Sequence, residues 1–147
     1  MATIKLNTLT NKIFLGIFAL LTLLSFDVSA KKVQFQNSSV VPAARGFVKI
    51  NRDKNRNFAI NIIIFNLAEV SRIESSKQNY IVWLVTDDAT TMNMGIIKSS
   101  TGFLSKKLKA TFETVSSLKP IQIFITTEND TSSQYPGTQV VLSTNKF

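Results

Sequence analysis

The chain of 147 residues contains no cysteine and no histidine. Without cysteine it can form no disulfide, offer no thiolate, and carry no lipid on an N-terminal cysteine. Without histidine it lacks the commonest general base at neutral pH and the commonest metal ligand. Zinc and copper sites, which favour those two residue types, have little here to be built from. Glycine and proline are scarce, at five and three, and no repeat or low-complexity tract occurs. Acidic residues are few as well, nine against seventeen Lys and Arg, for a net charge of +8. A surplus of that sign suits anionic polymers or lipid headgroups. The cations are spread over several segments, and only Lys106, Lys107 and Lys109 form a cluster.

What is present begins with an address. Lys5 and Lys12 precede Ile13–Phe26, a mostly apolar run without charge, and Val28-Ser29-Ala30 ends on small residues at the positions a signal peptidase reads. The three features together match a secretory signal peptide over 1–30. The run is shorter than the ~20 residues a membrane-spanning helix needs. Attachment to a membrane would require that this segment stay uncleaved. Residues 31–147 then form one domain of ordinary size. Exported domains are free to use disulfides, so this one must rely on apolar burial for the ~5–15 kcal/mol of a typical fold.

From residue 33 onward the apolar residues recur with period two. The stretches 33–36, 46–51, 58–67, 80–86, 94–98, 107–115, 120–127 and 138–144 read as β-strands separated by polar turns. In 58–67, Phe58, Ile60, Ile62 and Ile64 share one face. The polar connection 52–57 makes 46–51 and 58–67 a hairpin, with Asn55 or Asn57 suited to a left-handed turn position. Residues 68–79 read as a loop with one helical turn. Pro120 stands where a strand can begin, because proline donates no ladder hydrogen bond. Short connections favour antiparallel pairing. The expectation is an all-β, antiparallel two-layer sandwich or flattened barrel of about 7–8 strands, preceded by the signal-peptide helix.

Two strands depart from the alternation of a half-buried sheet. In Tyr80–Val85 both faces are apolar, with Ile81 and Trp83 opposite Tyr80, Val82 and Leu84; in 61–67, Ile63, Phe65 and Leu67 oppose Ile62 and Ile64. Either a segment covers the second faces, with 68–79 or 99–106 expected in that role, or they form a patch for a partner.

Tyr80-Ile81-Val82-Trp83, followed by a polar turn and Met94-Gly95-Ile96, is one half of a two-part pattern. The other half is Phe124–Glu128, a Ser-containing loop, then Pro136-Gly137 and a last apolar run. In order and spacing this resembles the extracytoplasmic C-terminal domain of anti-sigma-K-type factors, over roughly 79–143. The resemblance implies a β-fold outside the cytoplasm, with Tyr80, Trp83, Gly95, Glu128, Pro136 and Gly137 as signature positions. The sigma-binding helical region of such factors has no counterpart here.

Catalytic candidates are thin. Asp87-Asp88 and Glu128/Asp130 are the paired carboxylates, and they stand in hydrophilic stretches that suit turns. Their spacing is not that of a calcium loop. Serines abound without histidine, and a Ser-Lys dyad using Lys77 or Lys98 would need a buried lysine. The basic, aromatic run 103–112 would suit single-stranded nucleic acid, a partner that export removes. Asn37 and Asn129 begin glycosylation sequons, which matter only in a host that glycosylates. No catalytic residue, cofactor or metal is therefore expected. The sequence predicts an exported, non-enzymatic binding or sensory module, periplasmic or secreted, with an envelope protein or anionic polymer as partner. The alternative is a surface adhesion or matrix-associated protein holding anionic polymer on a basic face. Trp83, Asp87, Asp88, Lys106, Lys107 and Lys109 are the expected contact residues.

Overall fold

The computed structural model describes residues 30–102 and 105–147 together with Ile13, with side chains at 101–107 outside that description. The signal peptide expected over 1–30 therefore falls almost wholly outside the described residues. Among those described, nine strands form two antiparallel sheets. They are β1 (Lys31–Gln34), β2 (Arg45–Arg52), β3 (Phe58–Phe65), β4 (Asn79–Thr86), β5 (Thr91–Ile97), β6 (Ser99–Gly102), β7 (Ser105–Ser116), β8 (Pro120–Glu128) and β9 (Val140–Ser143). One sheet has the order β1-β2-β3-β7-β6 and the other β5-β4-β8-β9.

Alternation decides what lies between the sheets. Val48 and Ile50 of β2 stand beside Ile62 and Ile60 of β3, and Ile62 and Ile64 beside Phe112 and Ala110 of β7. Tyr80, Val82 and Leu84 of β4 with Ile123 and Ile125 of β8 complete the same apolar cluster from the other sheet. Rows of β-branched side chains on a pleated surface pack well in this way.

The strand that the sequence does not announce is β6. Its Ser99-Ser100-Thr101 has no apolar alternation, and at the margin of a sheet it needs none. Lys98 alone separates β5 from β6, so one nearly continuous extended run serves both sheets. On the opposite flank Phe35 bridges to Thr144, and the Gln36 amide donates to the Ser143 carbonyl at 2.8 Å. The two layers are thus stitched along both sides.

Left-handed positions redirect the chain. In the β2–β3 turn Arg56, not Asn55 or Asn57, takes positive φ, at 66°. The reason is Asp53, whose carboxylate accepts from the amides of both Asn55 and Asn57 at 2.8 Å and holds them as donors. The single left-handed residue costs ~1–2 kcal/mol. Asn66, at φ 58°, interrupts the alternation after β3. Leu67 therefore turns into the core, fully buried, although strict period two would put it outside with Phe65. A bulge between Val82 and Trp83 leaves Met94 unpaired against β4, with Gly95 at φ 120°. That conformation is strained for any side chain.

Residues 68–79 include the expected helical turn, a 3-10 turn at Val70–Arg72. Val70 and Ile73 pack on the core, and the Tyr80 hydroxyl donates to the Ala68 carbonyl at 2.8 Å. This segment closes one end of the sandwich instead of covering a sheet face.

The two sides of β3 should respond differently to truncation. Ile62→Ala, between the sheets, should cost about 2–5 kcal/mol. Phe65→Ala, 41 % exposed on the outer side, should stay below about 1 kcal/mol. Denaturant midpoints at constant slope would check both, and equal losses would refute the assignment of inner and outer faces.

Candidate binding surface

The four-stranded sheet is covered on its outer side around Ile81 and Trp83. Trp83 is 0 % exposed there, its ring stacked near Phe124 of β8 with centroids 6.3 Å apart. The indole N–H donates to Thr126 Oγ1 at 2.8 Å, and that hydroxyl donates to Glu128 Oε1 at 2.7 Å. Glu128, itself buried, also accepts from the Gly137 amide at 2.6 Å. Gly137 is required at this point because an added Cβ would stand 2.7 Å from the carboxylate oxygen. Asn93 of β5 fastens the same loop, its side-chain amide donating to the carbonyls of Thr131 at 3.1 Å and Ser133 at 2.8 Å. The cover over Ile81 and Trp83 is thus the 129–139 segment, not 68–79, while most of the side chains of the other expected cover, 99–106, lie outside the described residues. A polar, Ser-rich loop can lie on an apolar face because its backbone groups find partners in Asn93 and Glu128.

This placement corrects one expectation outright. Trp83 lies inside, so it contributes no surface. The signature positions Tyr80, Trp83, Gly95, Glu128 and Gly137 are occupied by packing, bulge and loop anchoring, and half-buried Pro136 leads into the Gly137 contact. Burial raises the Tyr80 hydroxyl well above its ordinary pKa.

The five-stranded sheet is open on its outer side. Register places Lys32 of β1 beside Lys49 of β2, Phe47 beside Ile63 of β3, Arg45 beside Phe65, and Phe65 beside Lys109 of β7. The Lys32 ammonium lies 4.0 Å from the Phe47 ring centroid and that of Lys49 5.8 Å away. One aromatic ring thus holds two like charges at a fixed place, with ~0.5–1 kcal/mol of cation–π attraction for an exposed pair. The Arg45 guanidinium is held by the carbonyls of Pro42 and Ala44, both at 2.7 Å. Val115 extends the apolar stripe, 56 % exposed. Among the described side chains, four cations meet one carboxylate on this face, Glu113, which accepts from the Asn61 side-chain amide. Lys109 is exposed within it, while the side chains of Lys106 and Lys107 lie outside the described residues.

The carboxylate pair expected to join this surface does not. Asp87 and Asp88 occupy the exposed turn after β4, in the other sheet. Asp88 accepts from the Thr86 hydroxyl and the Thr90 amide, which lowers its pKa below the ordinary carboxylate value. Asp130 is lowered likewise by the Ser132 amide and hydroxyl. Both serve local turns, and among the described residues no three acidic side chains gather as a cation site. Lys77, Lys98, Ser75 and Ser99 line one cavity of about 490 Å³ beside Val70. The Ser99 hydroxyl there donates to the Leu67 carbonyl at 2.7 Å and activates nothing.

Sequence reading missed Lys32, Arg45, Phe47, Lys49 and Phe65 as a group. Their alternation was legible within each strand, but only the register between strands brings them together. No family model matches the chain, and neither a curated protein nor a solved structure shows significant similarity to it.

Two outcomes test these contacts. Thr126→Val strands both the indole N–H and one carboxylate lone pair, and should cost about 2–4 kcal/mol, with Trp83 fluorescence shifting to the red as water enters. Thr86→Val should return the Asp88 pKa toward its ordinary value in a carboxyl NMR titration. Because the folded-state pKa is depressed, the hydrogen bonds to Asp88 favour folding above the ordinary carboxylate range. That contribution fades as pH falls through the lowered pKa.

Proposed function

We propose that this chain is an exported, non-enzymatic binding module of the cell envelope that holds an anionic polymer on the outer face of its five-stranded sheet. The observation that carries this reading is the pairing of Lys32 and Lys49 around the Phe47 ring, on a face that also presents Arg45 and Lys109. A sheet face with cations, half-buried Ile63 and exposed Phe65 and Val115 suits an extended chain bearing repeated negative charge and apolar ring faces. The residues forming each contact are rigidly based on strands, so little ordering entropy is lost on binding. Export supports polysaccharide over nucleic acid as the polymer. Carboxylates engaged in turns or in loop anchoring support a role without catalysis.

The likeness to anti-sigma-K-type extracytoplasmic domains supports the compartment and the β-fold. Its signature residues are spent on the interior, so the sensory reading rests on no surface contact of their own.

Retention on a heparin column measures the proposal. The wild-type chain should elute only with added salt, since exposed charges are screened within ~8–10 Å at ordinary ionic strength. The double variant Lys32→Gln/Lys49→Gln should weaken binding about tenfold or more, from about 1 kcal/mol per cation at an anionic surface. Asp87→Asn/Asp88→Asn should leave the elution position within error. Equal weakening by Lys54→Gln, in the distant β2–β3 turn, would reduce the effect to net charge and refute a dedicated face.

A further inference from the structure

The end of the sandwich away from the Val70–Arg72 turn holds a second concentration of positive charge, distinct from the sheet face. Three elements converge there. Lys31 begins β1, Arg52 ends β2, and Lys119 precedes β8 in the β7–β8 turn. They line one cavity of about 200 Å³, together with Asn51, Pro120 and the rings of Phe58 and Phe147. No acidic residue is among its walls.

Two of the three charged heads are placed by aromatic rings. The Arg52 guanidinium carbon lies 4.8 Å from the Phe58 centroid and the Lys31 ammonium 5.1 Å from that of Phe147. The Phe147 amide donates to the Ile121 carbonyl at 2.8 Å, which fixes the second ring beside β8. Two carboxylates at this end, Asp53 next to Arg52 in the chain and Asp88 in the turn after β4, are hydrogen-bonded within their own turns. Asp53 accepts from Asn55 and Asn57, and Asp88 from Thr86 and Thr90. Asp87 joins this end through its backbone, its amide donating to the Lys119 carbonyl at 3.2 Å.

Three like charges around one small hollow repel each other, and a bound anion relieves that repulsion. Arg offers a planar fork matched to a tetrahedral oxyanion, and two ammonium groups add point charges beside it. At ~30 Å³ per water, the hollow has room for an oxyanion and one ring or short chain. The two phenyl rings supply the apolar side.

We propose that this cavity binds a small organic phosphate or sulfate monoester, with its oxyanion among Arg52, Lys31 and Lys119 and its ring or hydrocarbon against Phe58 and Phe147. The site is separate from the sheet face and does not depend on the polymer reading.

Isothermal titration of the full chain with phenyl phosphate, phenyl sulfate and inorganic phosphate tests it. Phenyl phosphate should bind about fivefold or more tighter than inorganic phosphate, the ring adding apolar burial. Arg52→Gln should weaken phenyl phosphate about tenfold or more. Lys119→Gln, in an exposed turn, should weaken it about threefold or more and serves if the Arg52 variant folds poorly. Lys54→Gln, of equal charge on the neighbouring turn, should change it less than twofold. Flotation with phosphatidate-containing vesicles separates the sources: capture abolished by Arg52→Gln would mark a lipid headgroup, and its absence with phenyl phosphate bound would mark a soluble ester. No heat from either ester at millimolar concentration, no preference over inorganic phosphate, or equal weakening by Lys54→Gln would overturn the proposal. Heparin retention unchanged by Arg52→Gln would show that the two surfaces act independently.

Discussion

Much of this molecule turns on how a buried carboxylate is satisfied without a cation. Glu128 accepts from the Thr126 hydroxyl and the Gly137 amide, and Thr126 in turn accepts from the Trp83 indole. Desolvating a charged group is tolerable only when its lone pairs are met. Two of the three contacts converge on Glu128 Oε1 and, in doing so, tie the loop after β8 down onto the sheet. One sheet is thereby closed on both sides, while the other keeps its outer side in solvent. The asymmetry between a sealed layer and an open one gives the domain a front and a back.

The open side differs in kind from the sealed one. Around Trp83 the neighbours are aromatic, hydroxyl and amide groups with their hydrogen bonds complete. Around Phe47 the neighbours are ammonium groups that gain nothing from burial and remain available to solvent or ligand. Phe47 keeps two of them in place without neutralising either. Asn61 meanwhile engages Glu113, the one carboxylate among the described residues that faces the same way.

Period-two alternation made the two-layer β architecture readable from residues alone, since Val48, Ile50, Ile60, Ile62 and Ile64 can serve only a sheet with one side inward. It failed where a backbone conformation overrides it. Asn66 sends Leu67 inward by taking a left-handed geometry that no hydropathy pattern records. Ser99–Gly102 pairs as a strand although nothing apolar marks it, because a marginal strand is held by ladder hydrogen bonds on one side. The doubly apolar run at Tyr80–Val85 correctly signalled a cover, but the covering segment was illegible: Asn93 holds it through residues far away in the chain, and Gly137 through a carboxylate whose burial no local pattern records. The candidate surface was visible only in fragments, since cations at 32, 45, 49 and 109 become neighbours through register alone.

The stitched flanks of the sandwich carry a consequence for its behaviour at high concentration. A β-domain with free margins invites other chains to extend its sheets, the route by which such proteins clump into fibrils. Here Phe35 and Thr144 join the layers on one flank, and the run through Lys98 crosses them on the other. The bulge at Met94 and Gly95 spoils the remaining outer strand as a template. The domain can therefore carry a cation-studded front at high local concentration, because the flanks joined among the described residues give kindred copies less backbone to add to.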